Sequence, residues 1–216
     1  MRQVKFQKNH PFFQVLFWGS LWGLTEATLG HLLHLLKVPG LAGFFMFPIG
    51  LYFMIRAFRT VGKTSAIPAV AAIAASLKLV DLFLPGTQLF QAINPALAIL
   101  AESLALLFIM KFLKHPVGLF RPRNILSVTL GWRLIYGAFQ IILAAVLLET
   151  TGFLQLGNAA ILRFFLFDSL VNLLLIFGVL HLHRSIKFPR VFFRMSPRPG
   201  MILALLLSAV LTNILF

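Results

Sequence analysis

The charged residues of this chain include seven that interrupt long apolar segments, where ionised side chains are rare. These seven are the acids Glu26, Asp81, Glu102 and Asp168 and the bases Lys78, Arg133 and Arg163. In a membrane-spanning helix, a charge near the bilayer centre costs roughly 2.5–3.5 kcal/mol on insertion scales. We therefore expect these groups to pair with one another or to line a polar cavity.

Helical spacing of about 100° per residue places many of these residues on shared faces. The predicted faces are Gly19, Gly23, Glu26, Ala27, Gly30, His31 and His34 on the first segment, Asn94 with Glu102 on the fourth, Arg133 with Gln140 on the fifth, and Asp168 with Asn172 on the sixth. Lys78 and Asp81 are three residues apart and are predicted to pair. Arg163 and Asp168 form a second candidate pair.

Histidines raise the question of a metal or haem site. His31 and His34, with Glu26 and Asp81, are candidate ligands for a metal that prefers imidazole and carboxylate groups. Shared ligation of a haem with His181 and His183 is excluded, because those residues belong to the opposite membrane surface. The chain contains no cysteine, so thiolate metal sites and disulfides are also excluded. We expect no resident cofactor.

Catalytic motifs are not found in the sequence. It has no G-x-S-x-G, no H-E-x-x-H and no glycine-rich phosphate loop. Ser103 follows Glu102, but no histidine lies at the same depth to activate it. We predict that the protein is not an enzyme and does not hydrolyse nucleotides by itself.

The composition is that of a chain solvated by lipid, with 60% apolar and only 11% charged residues. A helix needs about 20 apolar residues to cross the hydrocarbon core. Segments close to this length are 12–36, 41–58, 65–84, 90–113, 125–149, 159–182 and the marginal 200–215. These segments predict an all-α integral membrane protein, a single polytopic domain of six or seven spans over residues 1–216. The Ile93-Asn94-Pro95 stretch predicts a kinked or unwound start of the fourth span.

Lys and Arg are distributed very unequally between alternate loops. The N-terminus and the loops 56–63, 111–123 and 184–198 carry 15 of them, whereas the loops 37–40, 85–89 and 150–158 carry only Lys37. The positive-inside rule therefore places the N-terminus in the cytoplasm. The net charge of +14 is explained by these flanking residues, so we do not expect a nucleic-acid partner. The 184–198 loop is interpreted as a topology anchor beside lipid headgroups.

This orientation places most of the intramembrane polar residues in the external half of the bilayer. Glu26 and Glu102 lie near its midplane. The pattern predicts a pocket that opens to the exterior and binds a small solute. The predicted binding residues are Glu26, His31, His34, Lys78, Asp81, Asn94, Glu102, Arg163, Asp168 and Asn172.

Two stretches, Trp22-Gly23-Leu24-Thr25-Glu26-Ala27 and Ile93-Asn94-Pro95-Ala96-Leu97-Ala98-Ile99-Leu100-Ala101-Glu102, belong to an architecture that resembles the substrate-binding S components of energy-coupling factor transporters. The resemblance implies capture of a vitamin, a precursor or a metal ion at the outer face of a bacterial or archaeal cytoplasmic membrane. It also implies a partner, a transmembrane coupling subunit with two ATPases. S components usually have six spans, and small residues on their first helix contact the coupling subunit. Here the small residues share a face with Glu26 and His34, which predicts packing within the chain instead.

Two other functions are compatible with the same residues. Glu26 and Glu102 lie on helices of opposite direction, as protonation sites of a proton-coupled carrier would in an inverted repeat. Alternatively, the chain is a non-catalytic subunit of a larger membrane complex. In that case the glycines only allow close helix packing, and Lys78–Asp81 and Arg163–Asp168 only fix helix positions.

Overall fold

The computed structural model describes residues 10–36, 38, 40–113, 116–148, 152–185 and 197–215. Every regular element in these ranges is helical. The α-helices are α1 Pro11–Thr25, α2 His31–Leu35, α3 Leu41–Val61, α4 Ala66–Lys78, α5 Leu89–Phe112, α6 Pro122–Leu147, α7 Asn158–Leu162, α8 Asp168–Ser185 and α9 Pro199–Leu215. Single 3₁₀ turns occur at Leu79–Phe83, Pro116–Phe120 and Gly152–Leu156.

Five helical runs are long and apolar enough to cross a membrane: Leu41–Val61, Ala66–Phe83, Leu89–Phe112, Pro122–Leu147 and Asn158–Leu180. The all-helical membrane architecture predicted from composition is thereby confirmed at this level. The run from Pro11 to Leu35 is not among the five, and it contains Glu26, two histidines and several small or hydroxyl residues. Helix α9 has 17 residues, roughly 25 Å of helix.

Side-chain contacts establish the relative directions of the helices. Residue numbers rise together where α1 meets α4 (Gly19 with Ile73, Gly23 with Leu77) and where α3 meets α8 (Gly40 with Asp168, Phe44 with Asn172), so these pairs are parallel. They run oppositely where α1 and α2 meet α3 (Trp18 with Phe53, Gly30 with Met46) and where α5 meets α6 (Ala105 with Gly131, Asn94 with Gln140), so these pairs are antiparallel. Helix α9 meets α4 through Asn213 and Leu77. Successive long helices therefore alternate in direction. One end of the bundle, here called the N-terminal end, carries residue 10 and the connections near 62, 117 and 198. The opposite end carries the connections near 38, 86 and 153.

The first helical run packs closely against α4 because glycines remove side chains from the interface. A Cβ atom placed on Gly19 would lie 2.7 Å from Cβ of Ile73 and 3.1 Å from the carbonyl oxygen of Val70. Gly23 lies against the Leu77 side chain in the same way. The small residues of the first helix are thus buried inside this chain, as their shared face with Glu26 predicted.

Two π-helical segments interrupt the helices, and each borders a buried acid. Glu26–Gly30 separates α1 from α2 and begins with Glu26, while Arg163–Phe167 precedes Asp168 at the start of α8. Such widened turns are often found at functional sites. The unwound stretch predicted at Ile93-Asn94-Pro95 is not present, because α5 continues through Pro95. A proline removes a single backbone donor, and a packed helix can continue through it.

We expect Gly19→Ala to lower the free energy of unfolding by about 1–3 kcal/mol, the usual cost of overpacking a close interface. Gly178→Ala is the matched control, since a Cβ atom there meets nothing within 4 Å and alanine favours a helix by about 1 kcal/mol. Thermal unfolding of the two variants in detergent measures the difference. Equal stability of the two variants would show that α1 and α4 do not pack as described.

Candidate functional site

Six buried polar side chains lie between the middle of the bundle and the end opposite the N-terminal end, and we call this group the polar layer. Its members are Glu26, Glu102, Arg133, Gln140, Asp168 and Asn172, of which Glu26, at 8%, is the most exposed. They are contributed by four separate parts of the fold, namely the first helical run, α5, α6 and α8. The packing of these helices, rather than any local motif, brings the layer together.

Glu26 is held by the indole of Trp22, one helical turn earlier. The Trp22 Nε1–H group donates a hydrogen bond of 3.1 Å to Oε1 of Glu26, and the Trp22 ring is completely buried. Oε2 of Glu26 lies beside Gly30, where a Cβ atom would be only 3.0 Å away. The π-helical turn and the missing side chain at Gly30 together leave room for the carboxylate against its own helix.

Glu102 lies near the same indole, and Gly50 of α3 makes this approach possible. A Cβ atom on Gly50 would lie 2.6 Å from Cζ2 of Trp22 and 2.9 Å from Oε2 of Glu102. Only a residue without a side chain fits there. The carboxylates of both glutamates therefore lie near one indole ring, with its nitrogen bonded to Glu26.

The two glutamates form a like-charged pair that no side-chain cation neutralises directly. Glu102 interacts electrostatically with Glu26 and with Arg133. Among the described residues, no Lys, Arg or His nitrogen lies within 4.0 Å of either carboxylate. Within the same ranges the Glu102 carboxylate accepts no hydrogen bond, although the residue is only 5% exposed. An unpartnered buried carboxyl group is costly, which makes this pair the most unusual feature of the bundle.

Arg133 links α6 to α8 through three hydrogen bonds. Nη1 donates to the carbonyl oxygen of Thr129 at 3.1 Å, while Nη2 donates to the carbonyl oxygen of Asp168 at 3.1 Å and to Oδ1 of Asn172 at 2.5 Å. The guanidinium also lies over the ring of Trp132, 4.4 Å from its centroid. Its Nε atom is buried and has no hydrogen-bond partner. Arg133 is thus fixed by backbone and amide oxygens rather than by a carboxylate.

Asn172 connects this arginine to a third helix. Its Nδ2 group donates to the carbonyl oxygens of Gly43 at 3.2 Å and Phe44 at 3.0 Å, in the first turn of α3. The side chain is completely buried, so both ends of its amide are satisfied inside the protein. One residue thereby fixes the positions of α3, α6 and α8 relative to one another.

Both predicted ion pairs are present in the structure and lie toward the end opposite the N-terminal end. Lys78 Nζ is 2.6 Å from Asp81 Oδ2, and Arg163 Nε is 3.6 Å from Asp168 Oδ1. Gly40 lies against the Asp168 carboxylate, where a Cβ atom would be 3.2 Å from Oδ2. The Arg163 side chain remains 45% exposed, so its charge stays at the edge of the layer.

The remaining predicted site residues are placed less centrally. Asn94 accepts a 2.8 Å hydrogen bond from Nε2 of Gln140, which ties the start of α5 to α6. His31 is half-buried and His34 is exposed. Within the described ranges, no three His, Asp or Glu side chains are close enough to hold a metal ion, so the metal site considered for His31, His34, Glu26 and Asp81 is not assembled.

Trp22, Gly50, Arg133 and Gln140 were absent from the predicted site. Trp22 precedes Glu26 by four residues, which is the spacing of helical neighbours and was a usable signal. Arg133 was recognised as an intramembrane charge, but its depth on the inner side excluded it from an outward pocket. Gly50 carries no chemical signal in the sequence, because its role arises only when α3 meets α1 and α5.

The chain was also compared with known proteins. No protein-family model, curated protein or solved structure matches it.

We expect Asn172→Ala to lower the free energy of unfolding by about 1–3 kcal/mol, because it leaves a buried Arg133 donor unsatisfied. Asn158→Ala, at an exposed position at the start of α7, is the control and is expected to change stability by no more than about 0.5 kcal/mol. Denaturant titration of both variants in mixed micelles tests this. An equally mild effect at the two positions would contradict the bridging role of Asn172.

Proposed function

We propose that the chain is a membrane-embedded subunit that binds a small solute in the polar layer and takes part in its transport. The supporting observation is the Glu26–Glu102 pair, two buried carboxyl groups from different helices, neither of which forms an ion pair with a base among the described residues. Stability alone favours apolar packing or complete pairing at such a depth. Intramembrane ionisable residues commonly mark solute or ion pathways, and a bound solute would supply the missing partner.

The proposed topology has a cytoplasmic N-terminus and six or seven crossings of a bacterial or archaeal cytoplasmic membrane. The continuous helical run from Pro11 to Leu35 is roughly 38 Å long, sufficient for a crossing. Helix α9 packs beside α1 and reaches the level of Leu77, where Asn213 donates to its carbonyl oxygen at 3.0 Å. The described basic loops lie at the N-terminal end, and residues 1–9 and 186–196 lie outside the described residues. The end of the bundle opposite the N-terminal end is then external. The solute would enter there, beside Lys78–Asp81 and Arg163–Asp168.

The resemblance to S components of energy-coupling factor transporters supports a coupling subunit with ATPases as the partner. The glycine face of α1 is covered by α4 in this chain, so such a subunit would dock on another surface. The proposed S-component role therefore depends on the solute-binding site and the topology, and not on a face of small residues on the first helix that contacts the coupling subunit.

A proton-coupled carrier is the second candidate, and one observation favours it. Glu26 and Glu102 lie on helices of opposite direction and interact electrostatically, so a proton could replace the missing cation. In this case the chain alone would transport its solute. A structural subunit of a larger complex is the third candidate, in which neutralising both glutamates leaves the activity of the complex unchanged.

Single cysteines test the topology directly, because the chain has no native cysteine. Gln88→Cys lies at the end opposite the N-terminal end, Lys63→Cys lies at the N-terminal end, and both positions are exposed. We expect a membrane-impermeant maleimide to label Gln88→Cys in intact cells and Lys63→Cys only after permeabilisation. The reverse pattern would overturn the proposed orientation and with it the external opening.

Purification of the full-length protein from its native membrane in mild detergent distinguishes the three candidates. We expect a membrane subunit and a pair of ATPases to co-purify, and ATP-dependent solute uptake to require all of them after reconstitution. Uptake by the chain alone, driven by acidification and lost in Glu26→Gln, would favour the proton-coupled carrier. Co-purification with another complex whose activity is unaffected in a Glu26→Gln, Glu102→Gln double variant would favour the structural subunit.

A further inference from the structure

The charges of the polar layer indicate what kind of solute it accepts. Asp81 is paired with Lys78, and Asp168 lies next to Arg163. In each pair the base offsets the charge of its acid, so the two pairs add no net charge at the outer edge of the layer. Glu26 and Glu102 remain. Glu26 interacts electrostatically with Lys78, and Glu102 with Arg133, but among the described residues no base forms an ion pair with either carboxylate.

Arg133 does not complete the site of Glu102. Both of its terminal nitrogens are engaged, one with Thr129 and the other with Asp168 and Asn172. Those bonds bind the guanidinium to α6 and α8, and none of them goes to Glu102. The Arg133 charge therefore reduces the repulsion between the glutamates without satisfying either carboxylate.

Acceptor atoms of both glutamates lie near one indole ring. Oε1 of Glu26 takes the single side-chain N–H group of Trp22, and Oε2 of Glu102 lies near the ring edge beside Gly50. Glu102 is only 5% exposed, and its carboxylate accepts no hydrogen bond from the described residues. It is an unsatisfied acceptor whose Oε2 atom lies beside the same indole ring that binds Glu26. A partner that donates hydrogen bonds and carries positive charge would satisfy both carboxylates.

We infer that the solute carries a primary or secondary ammonium group, which binds between Glu26 and Glu102 beside Trp22. An ammonium group supplies two or three N–H donors in a small volume, and this matches carboxylates on two different helices. The indole adds attraction for a cation at short range. A metal ion fits less well, because within the described ranges no third carboxylate or imidazole joins the pair. This inference rests on the proposed solute-binding function.

Matched probes test the inference with the purified full-length protein in detergent. Methylammonium and benzylammonium are the charged probes, methanol and benzyl alcohol are their neutral counterparts, and tetramethylammonium is a cation without N–H donors. We expect a saturable rise in the unfolding midpoint with at least one of the two N–H probes and none with its neutral counterpart or with tetramethylammonium. In Glu102→Gln the apparent affinity should fall by at least about tenfold. Lys63→Gln is the control, and it should keep the affinity within about twofold because that charge is exposed at the N-terminal end, away from the polar layer.

Three results would overturn the ammonium assignment. They are the lack of a saturable response to both N–H probes, an equal response to the neutral counterparts, and an unchanged affinity in Glu102→Gln. Mass spectrometry of small molecules released from the purified protein distinguishes two cases: the ammonium assignment alone is wrong, or the protein does not bind a solute at all. A neutral or anionic solute that stays bound in Glu102→Gln would refute the ammonium assignment but leave solute binding intact.

Discussion

The burial of Glu26 and Glu102 beside Trp22 is the constraint on which the rest of the structure depends. A carboxyl group in a lipid-solvated bundle must find hydrogen bonds or charge, because no water is present to supply them. Glu26 obtains one bond from the Trp22 indole, whereas Glu102 obtains none from the described residues. The fold therefore keeps a site that a stable bundle does not need, which is typical of positions selected for function.

Small residues and a fixed arginine hold this costly arrangement in place. Gly50 lets Glu102 and Trp22 approach α3, and Gly19 lets α1 lie against α4. On the other side, Arg133 and Asn172 join α6, α8 and the first turn of α3 by buried hydrogen bonds. These supports come from several helices, so the positions of the polar side chains depend on the packing of the whole bundle. Such preorganisation would reduce the conformational entropy lost if the proposed solute binds.

The helices could be predicted from the sequence because apolar length and basic flanks act locally. Each predicted span coincides with a helical run whose ends agree to within three residues. Lys78–Asp81 was also predictable, since three residues along one helix bring side chains together. The tertiary features were not predictable: Gly50 beside Trp22, Asn172 on the carbonyl oxygens of α3, and Arg133 bonded to α8 all depend on how distant helices meet. The unwound stretch predicted at Pro95 is absent because the helix continues through the proline.

The central claim is that Glu26 and Glu102 are kept for binding rather than for stability, and the stability of a Glu26→Gln, Glu102→Gln double variant tests it most directly. Glutamine keeps the shape and removes the charge of both side chains. Without added solute, we expect the unfolding midpoint of the full-length variant in detergent to equal or exceed that of the wild type. A midpoint lower by more than about 4 °C, equivalent to about 1 kcal/mol or more for a chain of this size, would show that the glutamates are structural. That result would contradict the account.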